Sequence, residues 1–386
     1  MNRITTIDVT RGLVMVVMAL DHIRDLLHQP ALTQNPTDLS TTTAPIFLTR
    51  WITHLCAPTF VFLSGMSAYL SLKKTNNSAE ARRFLLKRGL VLLVMELTII
   101  NFAFWFDLQF RSMLLQVIYA IGGGLVILSL LARLPVRTVG IIGLIIIFGH
   151  NLLQLVPPIT DPVGRLISSL LFQVNFFQLT PGFALLVGYP LIPWLGILLV
   201  GYACGKLMDQ PIAIRKPLLL RMALGSLGLF VILRFINLYG DPVPWSAQKT
   251  PLFTVLSFIN VTKYPPSLLY DLLMLGIALK ILWLADGVDN WLTRILTVYG
   301  KVPMFYYIIH WYSVHLLMIA MVLLQGYSWN DIQAGTLSFG RPAKAGVDLG
   351  TVYLIWFGLI VALYPLCRWY GRYKSAHPEN GLLRYI

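Results

Sequence analysis

Arg11 and His22 stand eleven residues apart in one apolar stretch, a fixed cation and a titratable base. Read as a helix at 100° per residue, they fall within about 20° of each other and roughly 16 Å apart along the axis. Met15 and Met18 lie between them on that face. Asp25 is close to it, with Asp21 and His28 further round. A neutral imidazole near pH 7 suits removal of a proton from a nucleophile. A carboxylate can orient such a ring and stabilise its cation. Asp25, three positions on, is better placed for that than the adjacent Asp21. Ionisable side chains in a lipid-spanning helix are costly, so by default they face the protein interior and mark a functional path. The bland alternative is a polar cluster tying this helix to its neighbours.

A second constellation is Arg50-Trp-Ile-Thr-His54-Leu-Cys-Ala-Pro58. Arg50 and His54 are four apart, hence on one helical face, and Pro58 disrupts the backbone bonding one turn on. A kinked, charged entry suits a substrate mouth; an interfacial Arg–Trp anchor with a buried His is the alternative. Thr41, Thr42 and Thr43 offer hydroxyls to a sugar but serve equally as helix caps. Further along, His310 and His315 are five apart and roughly 140° round a helix, so they cannot share a face. Glu96 and Asp271 are acids inside apolar runs, each needing a partner that the sequence does not name. Lys87 and Arg88 close a basic loop, where cations could grip the phosphates of a donor or simply set topology. No glycine-rich phosphate loop, Ser-His-Asp order or zinc spacing is present, and no metal is expected.

The elements that must position these groups are membrane helices. The chain has 386 residues, 57% hydrophobic and 12% charged, with a mean hydropathy of +0.72. A soluble domain carries about a quarter charged residues. Repeated apolar runs predict an all-α, polytopic integral membrane protein, one transmembrane domain over 1–386. About ten spans are expected, at 8–28, 46–72, 84–106, 112–132, 137–156, 184–207, 217–238, 266–284, 302–325 and 349–370. The stretch 163–180 is too short to cross and reads as interfacial or re-entrant. The net charge of +14 does not signal nucleic acid, because the basic residues sit mostly in loops between spans. Cys56, Cys204 and Cys367 lie in apolar runs, which argues against a disulfide scaffold. The first span is charged at both ends and lacks a small-residue cleavage site, so it is read as retained.

Loop charge assigns sides. Lys73, Lys74, Arg82, Arg83, Lys87 and Arg88 face Glu80 alone, and Lys206, Arg215, Lys216 and Arg221 face Asp209 alone. The intervening loops are near neutral. The positive-inside rule then puts both termini in the cytoplasm, Arg11 toward the inside, and His22, Arg50 and His54 toward the outside.

Ile7-Asp8-Val-Thr-Arg11-Gly12, Asp21-His22-Ile-Arg24-Asp25, Thr49-Arg50-Trp-Ile-Thr-His54-Leu-Cys-Ala-Pro58, Thr262-Lys263-Tyr264-Pro265-Pro266-Ser267 and Gly300-Lys301-Val-Pro303 resemble bacterial members of the heparan-α-glucosaminide N-acetyltransferase catalytic-domain family. The resemblance extends over essentially the whole chain. The Arg-x10-His spacing also resembles the broader membrane acyltransferases that O-acylate cell-surface glycans. The family's proposed catalytic histidine follows the first span, beyond an asparagine. Here His22 stands at that asparagine, and the histidine position falls near Ala44. His22 therefore becomes the candidate base, as in the broader group.

The resemblance implies transfer of an acyl group, acetyl by analogy, from cytoplasmic acyl-coenzyme A to a hydroxyl or amine acceptor outside, a sugar or cell-envelope glycan. On that reading Arg11, Lys87 and Arg88 hold acetyl-coenzyme A, and His22, with Asp21 or Asp25, takes the proton. Arg50, His54, Lys263, Tyr264, Asp271 and His310 surround the acceptor. Direct transfer and an acyl-histidine route both stay open. A multi-pass protein of the bacterial cytoplasmic membrane, possible as a homodimer, is implied. A transporter or flippase for a lipid-linked sugar needs the same polar path and two-sided access and is the alternative.

Overall fold

The computed structural model describes residues 5–74, 78–157, 159–335 and 338–385. In chain order the helices and strands are α1 (Thr5–Leu27), α2 (Ala44–Thr53), α3 (Cys56–Lys74), α4 (Ser78–Met95), α5 (Asn101–Trp105), β1 (Ser112–Leu115), α6 (Val117–Leu131) and α7 (Val136–Gly149). They continue with α8 (Pro162–Leu171), β2 (Asn175–Thr180), β3 (Phe183–Val187), α9 (Leu191–Gly205), α10 (Ile212–Ile236) and α11 (Pro251–Ile259). The last four are α12 (Leu268–Ala285), α13 (Trp291–Gly300), α14 (Pro303–Leu324) and α15 (Leu349–Ala376).

Seven helical stretches among the described residues are long and apolar enough to cross a membrane: Ala44–Lys74, Val136–Leu155, Leu191–Asp209, Ile212–Ile236, Leu268–Ala285, Pro303–Leu324 and Leu349–Ala376. The other three expected spans coincide with helices that fall short of this standard for physical reasons. Helix α1 carries Asp8, Arg11, Asp21, Arg24 and Asp25. Helix α4 carries Glu80, Arg82, Arg83, Lys87 and Arg88 and runs into a π-helical turn, Glu96–Ile100. Helix α6 is only 15 residues long. The stretch 163–180 is a short helix, α8, followed by a strand.

The all-α expectation needs one correction. A three-stranded sheet in the order β1-β3-β2 joins the segment before α6 to the hairpin before α9. Strand β1 runs parallel to β3, with Ser112 opposite Ala184 and Leu115 opposite Val187; β2 is antiparallel to β3. Residues 112–115 and 184–187 thus extend as strands where span starts were expected. A short apolar run cannot be told from a helical one by periodicity. Pro181-Gly182 closes the β2–β3 hairpin, and Phe176 and Phe177 favour strand geometry.

Helix α1 lies at the centre, packed by α2, α3, α12, α13, α14 and α15. Val14, Met15, Ala19, Ile23, Leu26 and Leu27 are fully buried, so its apolar faces are enclosed by protein. Its crossing with α13 is made at glycine. A Cβ at Gly12 would overlap the Leu296 carbonyl, and one at Gly300 the Asp8 carbonyl. Gly65 and Gly201 make the same kind of crossing between α3 and α9.

The α2–α3 break has a clear cause. Pro58 has no N–H to offer the carbonyl of His54. That carbonyl accepts instead from Tyr270 Oη of α12, at 2.7 Å. Helix α2 therefore ends at Thr53, and the chain turns through His54 and Leu55 before α3 starts.

Two cavities and a histidine pair

Two cavities lie along α1. One, of about 260 Å³, is lined by Arg11, Arg88, Lys301, Lys374 and Tyr385 among others. The second, of about 280 Å³, is lined by Asp21, His22, Asp25, Arg50, Lys263, Tyr264 and Trp311 among others. Met18, Phe60, Val117 and Tyr307 belong to both linings, so the cavities meet back to back at these four side chains.

The Arg11 cavity is cationic, with no acid among its lining residues. Arg11 is fastened by three neighbours: Nη1 donates to Asp8 Oδ1 at 3.2 Å and to the Gly300 carbonyl at 3.1 Å, and Nη2 to Ser67 Oγ at 2.7 Å. Arg88 makes no hydrogen bond or ion pair among the described residues, and its Nε is buried. A guanidinium whose Nε is buried without a partner suits a site that takes an anion. Lys301 stands beside it at the junction of α13 and α14. Lys87, expected with Arg88, is exposed and does not line the cavity. Successive helical residues point about 100° apart, so both cannot face one cavity.

In the second cavity His22 Nδ1 lies 2.6 Å from His310 Nε2 of α14. His310 Nδ1 lies 3.0 Å from the Tyr306 carbonyl, which can only accept, so Nδ1 carries a proton. With both rings neutral, His310 Nε2 then accepts and His22 Nδ1 donates. The lone pair of His22 sits on Nε2, which has no partner among the described residues. The His22 ring also stacks on Trp311, with centroids 3.9 Å apart. These contacts fix its tautomer and its plane, the two things a general base needs.

The carboxylates do something else, which corrects the expectation that Asp25 or Asp21 supports His22. Arg50 Nη1 grips both oxygens of Asp21, at 2.6 and 2.5 Å. Arg24 Nη2 donates to Asp21 at 3.2 Å and to Asp25 at 2.5 Å. The acids are taken by guanidiniums, which are far better partners than a neutral imidazole.

Of the residues expected around an acceptor, Arg50, Lys263 and Tyr264 do line this cavity. His310 does not; it stands behind His22. His54 also lies outside the lining, buried with its ring edge-on to Tyr270. The shared face with Arg50 required a helix continuing through position 54, and the helix ends at Thr53. Asp271 is fully buried, lines neither cavity, and both its oxygens lack partners among the described residues. Glu96 is taken by the backbone N–H of Gln116 at 2.5 Å, at the start of α6. His315 stacks on Phe106, with centroids 4.0 Å apart.

Sequence reasoning passed over Trp311, Tyr307, Tyr189, Lys374 and the role of Lys301. Tyr307 and Trp311 are four apart on α14, which signals a shared face. That the face meets His22 depends on helix packing.

No curated protein matches the chain. The family described as heparan-alpha-glucosaminide N-acetyltransferase, catalytic, matches residues 3–233 and stops within α10, short of the whole-chain resemblance expected. Arg11, His22, Arg50 and Arg88 fall inside the match, and Lys263, Lys301, His310 and Trp311 beyond it. With more than half of its length so matched, the chain belongs to the heparan-alpha-glucosaminide N-acetyltransferase catalytic family, a family of membrane acetyltransferases.

Proposed function

We propose that the protein transfers an acetyl group from cytoplasmic acetyl-coenzyme A, bound in the Arg11 cavity, to a hydroxyl or amine of a sugar or cell-envelope glycan in the His22 cavity. The observation that carries this is the pair of cavities meeting at Met18, Phe60, Val117 and Tyr307, with His22 lining one of them. Apolar runs support about ten spans, and loop charge supports both termini inside, in what the family resemblance suggests is a bacterial cytoplasmic membrane. Helix α1 then runs from a donor side to an acceptor side.

The residues present fit such a donor. Arg88, Lys301 and Arg11 offer guanidinium and ammonium groups to phosphates, with no acid in the lining to compete. Bound there, acetyl-coenzyme A supplies the thioester carbonyl, whose bond to sulfur breaks as the bond to the acceptor oxygen or nitrogen forms. His22 Nε2 takes the proton that the acceptor loses. His310 receives the Nδ1–H of His22 and holds the ring in place. The Tyr306 carbonyl accepts from His310 Nδ1 and fixes the second tautomer. Near-attack positioning across the shared waist would supply much of the rate.

The test uses purified full-length chain with acetyl-coenzyme A labelled in the acetyl group and cell-envelope extract as acceptor source. Release of free coenzyme A coupled to labelled product, lost in His22→Ala, is expected. Full turnover in His22→Ala would overturn the role of His22. A substrate crossing liposomes unmodified, without coenzyme A release, would favour a transporter.

A further inference from the structure

Resting on the transfer reaction proposed above, we infer that the acceptor carries a negatively charged group, a carboxylate or a phosphate, held by the Lys263 ammonium. The charges around the His22 cavity do not balance. Asp21 and Asp25 face Arg24, Arg50 and Lys263, two acids against three cations. Both acids are already committed to arginine: Asp21 to Arg50 and Arg24, Asp25 to Arg24. Lys263 is left over.

Lys263 is only 7% exposed, and its chain lies in the cavity wall. Among the described residues its ammonium has no hydrogen bond and no ion pair within 4 Å; it lies over the face of the Tyr264 ring, 5.0 Å from the centroid. A ring face offsets only part of the cost of burying a cation. An ammonium in the cavity wall without an ion pair attracts an opposite charge, and both acids of that lining are already committed to arginine.

The loop around Lys263 is built, not slack. Asp241 accepts from Thr262 N at 2.8 Å, Thr262 Oγ1 at 3.0 Å and Ser267 Oγ at 2.6 Å. A backbone bridge pairs Lys263 with Pro266. The backbone that carries Lys263 is therefore set by these bonds. A neutral acceptor hydroxyl would leave the excess charge uncompensated, whereas one anionic group would neutralise it. Lys263 lies beyond the residues 3–233 matched to the family.

The test is calorimetric titration of the purified full-length chain with glucose, glucuronate and glucose 6-phosphate. The charged sugars should bind about tenfold or more tighter than glucose. Lys263→Met should abolish that ratio and Lys263→Arg should keep it. Preference for glucuronate alone assigns a carboxylate, and for glucose 6-phosphate alone a phosphate. Equal affinity for all three sugars, or no binding of any, overturns the inference, as does a ratio that survives in Lys263→Met. Should Lys263→Met fail to fold, the wild-type ratio decides. Labelled acetyl transfer in parallel separates the two readings. Transfer to glucose as fast as to its charged analogues refutes the anion site and keeps the acetyltransferase. Preferential binding with no coenzyme A release in the envelope-extract assay refutes the acetyltransferase and keeps the anion site.

Discussion

His310 Nε2 lies 2.6 Å from His22 Nδ1, on a helix 288 residues further along the chain. On the proposed mechanism, an imidazole anchored to its own helix backbone does the orienting that a carboxylate does in many general bases. As a neutral ring it sets the tautomer of His22 without adding an ion to the interior.

Replacing His310 therefore tests positioning apart from chemistry. His310→Leu should lower kcat by about 100-fold, less than His22→Ala, which should approach about 10⁴-fold. His310→Gln, whose amide oxygen can accept from His22 Nδ1, should recover part of the loss. Unchanged kcat in His310→Leu, or no recovery by Gln over Leu, would remove His310 from the mechanism.

The Arg11 cavity predicts a split between two neighbouring cations. Arg88→Gln should raise the KM for acetyl-coenzyme A by about tenfold, the loss of one charge-assisted contact. Lys301→Gln should act in the same direction. Lys87→Gln, altering an exposed side chain away from the cavity, should leave that KM within about twofold. Steady-state kinetics with donor varied would decide; an equal effect at 87 and 88 contradicts the assignment.

Asp21 joins α1 to α2 through Arg50 and neutralises Arg24 beside it. Asp21→Ala leaves Arg50 without its carboxylate and Arg24 with Asp25 alone, and should cost about 3–5 kcal/mol. Adding Arg50→Met should restore part of this. Thermal unfolding in detergent measures both, and a single variant as stable as the parent would show that the pair is not needed for the fold.

Gly300→Ala should be among the most damaging single-methyl changes in the chain. Its Cβ would meet the Asp8 carbonyl of α1, and overpacking of this kind typically costs about 1–3 kcal/mol. The same shift displaces the Gly300 carbonyl that accepts from Arg11 at 3.1 Å. A lower melting temperature together with weaker donor binding is expected. Gly358→Ala, where the added methyl meets nothing within 4 Å, is the control.

What could be read from residues alone was whatever one unbroken helix determines. Arg11, Met18 and His22 line the two cavities because α1 runs without a break from Thr5 to Leu27. Where the helix was interrupted, the reading failed. Arg50 and His54 part company because Pro58 removes a donor and Tyr270, far along the chain, takes its place. Spacing offered Asp25 to His22, but Arg24 competes for the carboxylate and wins on charge. The sheet at 112–115 and 183–187 escaped notice because four or five apolar residues have no period to read.

The waist shared by the two cavities has a consequence unrelated to turnover. Met18, Phe60, Val117 and Tyr307 touch both chambers, so one layer of side chains stands between them. In a membrane, that layer is also the electrical insulation. Three of the four are apolar, and Met18 is unbranched and adaptable, able to yield to a passing group and close behind it. A protein that hands a small group across a bilayer, as proposed here, must do so without short-circuiting it, and the resistance would rest on these four side chains.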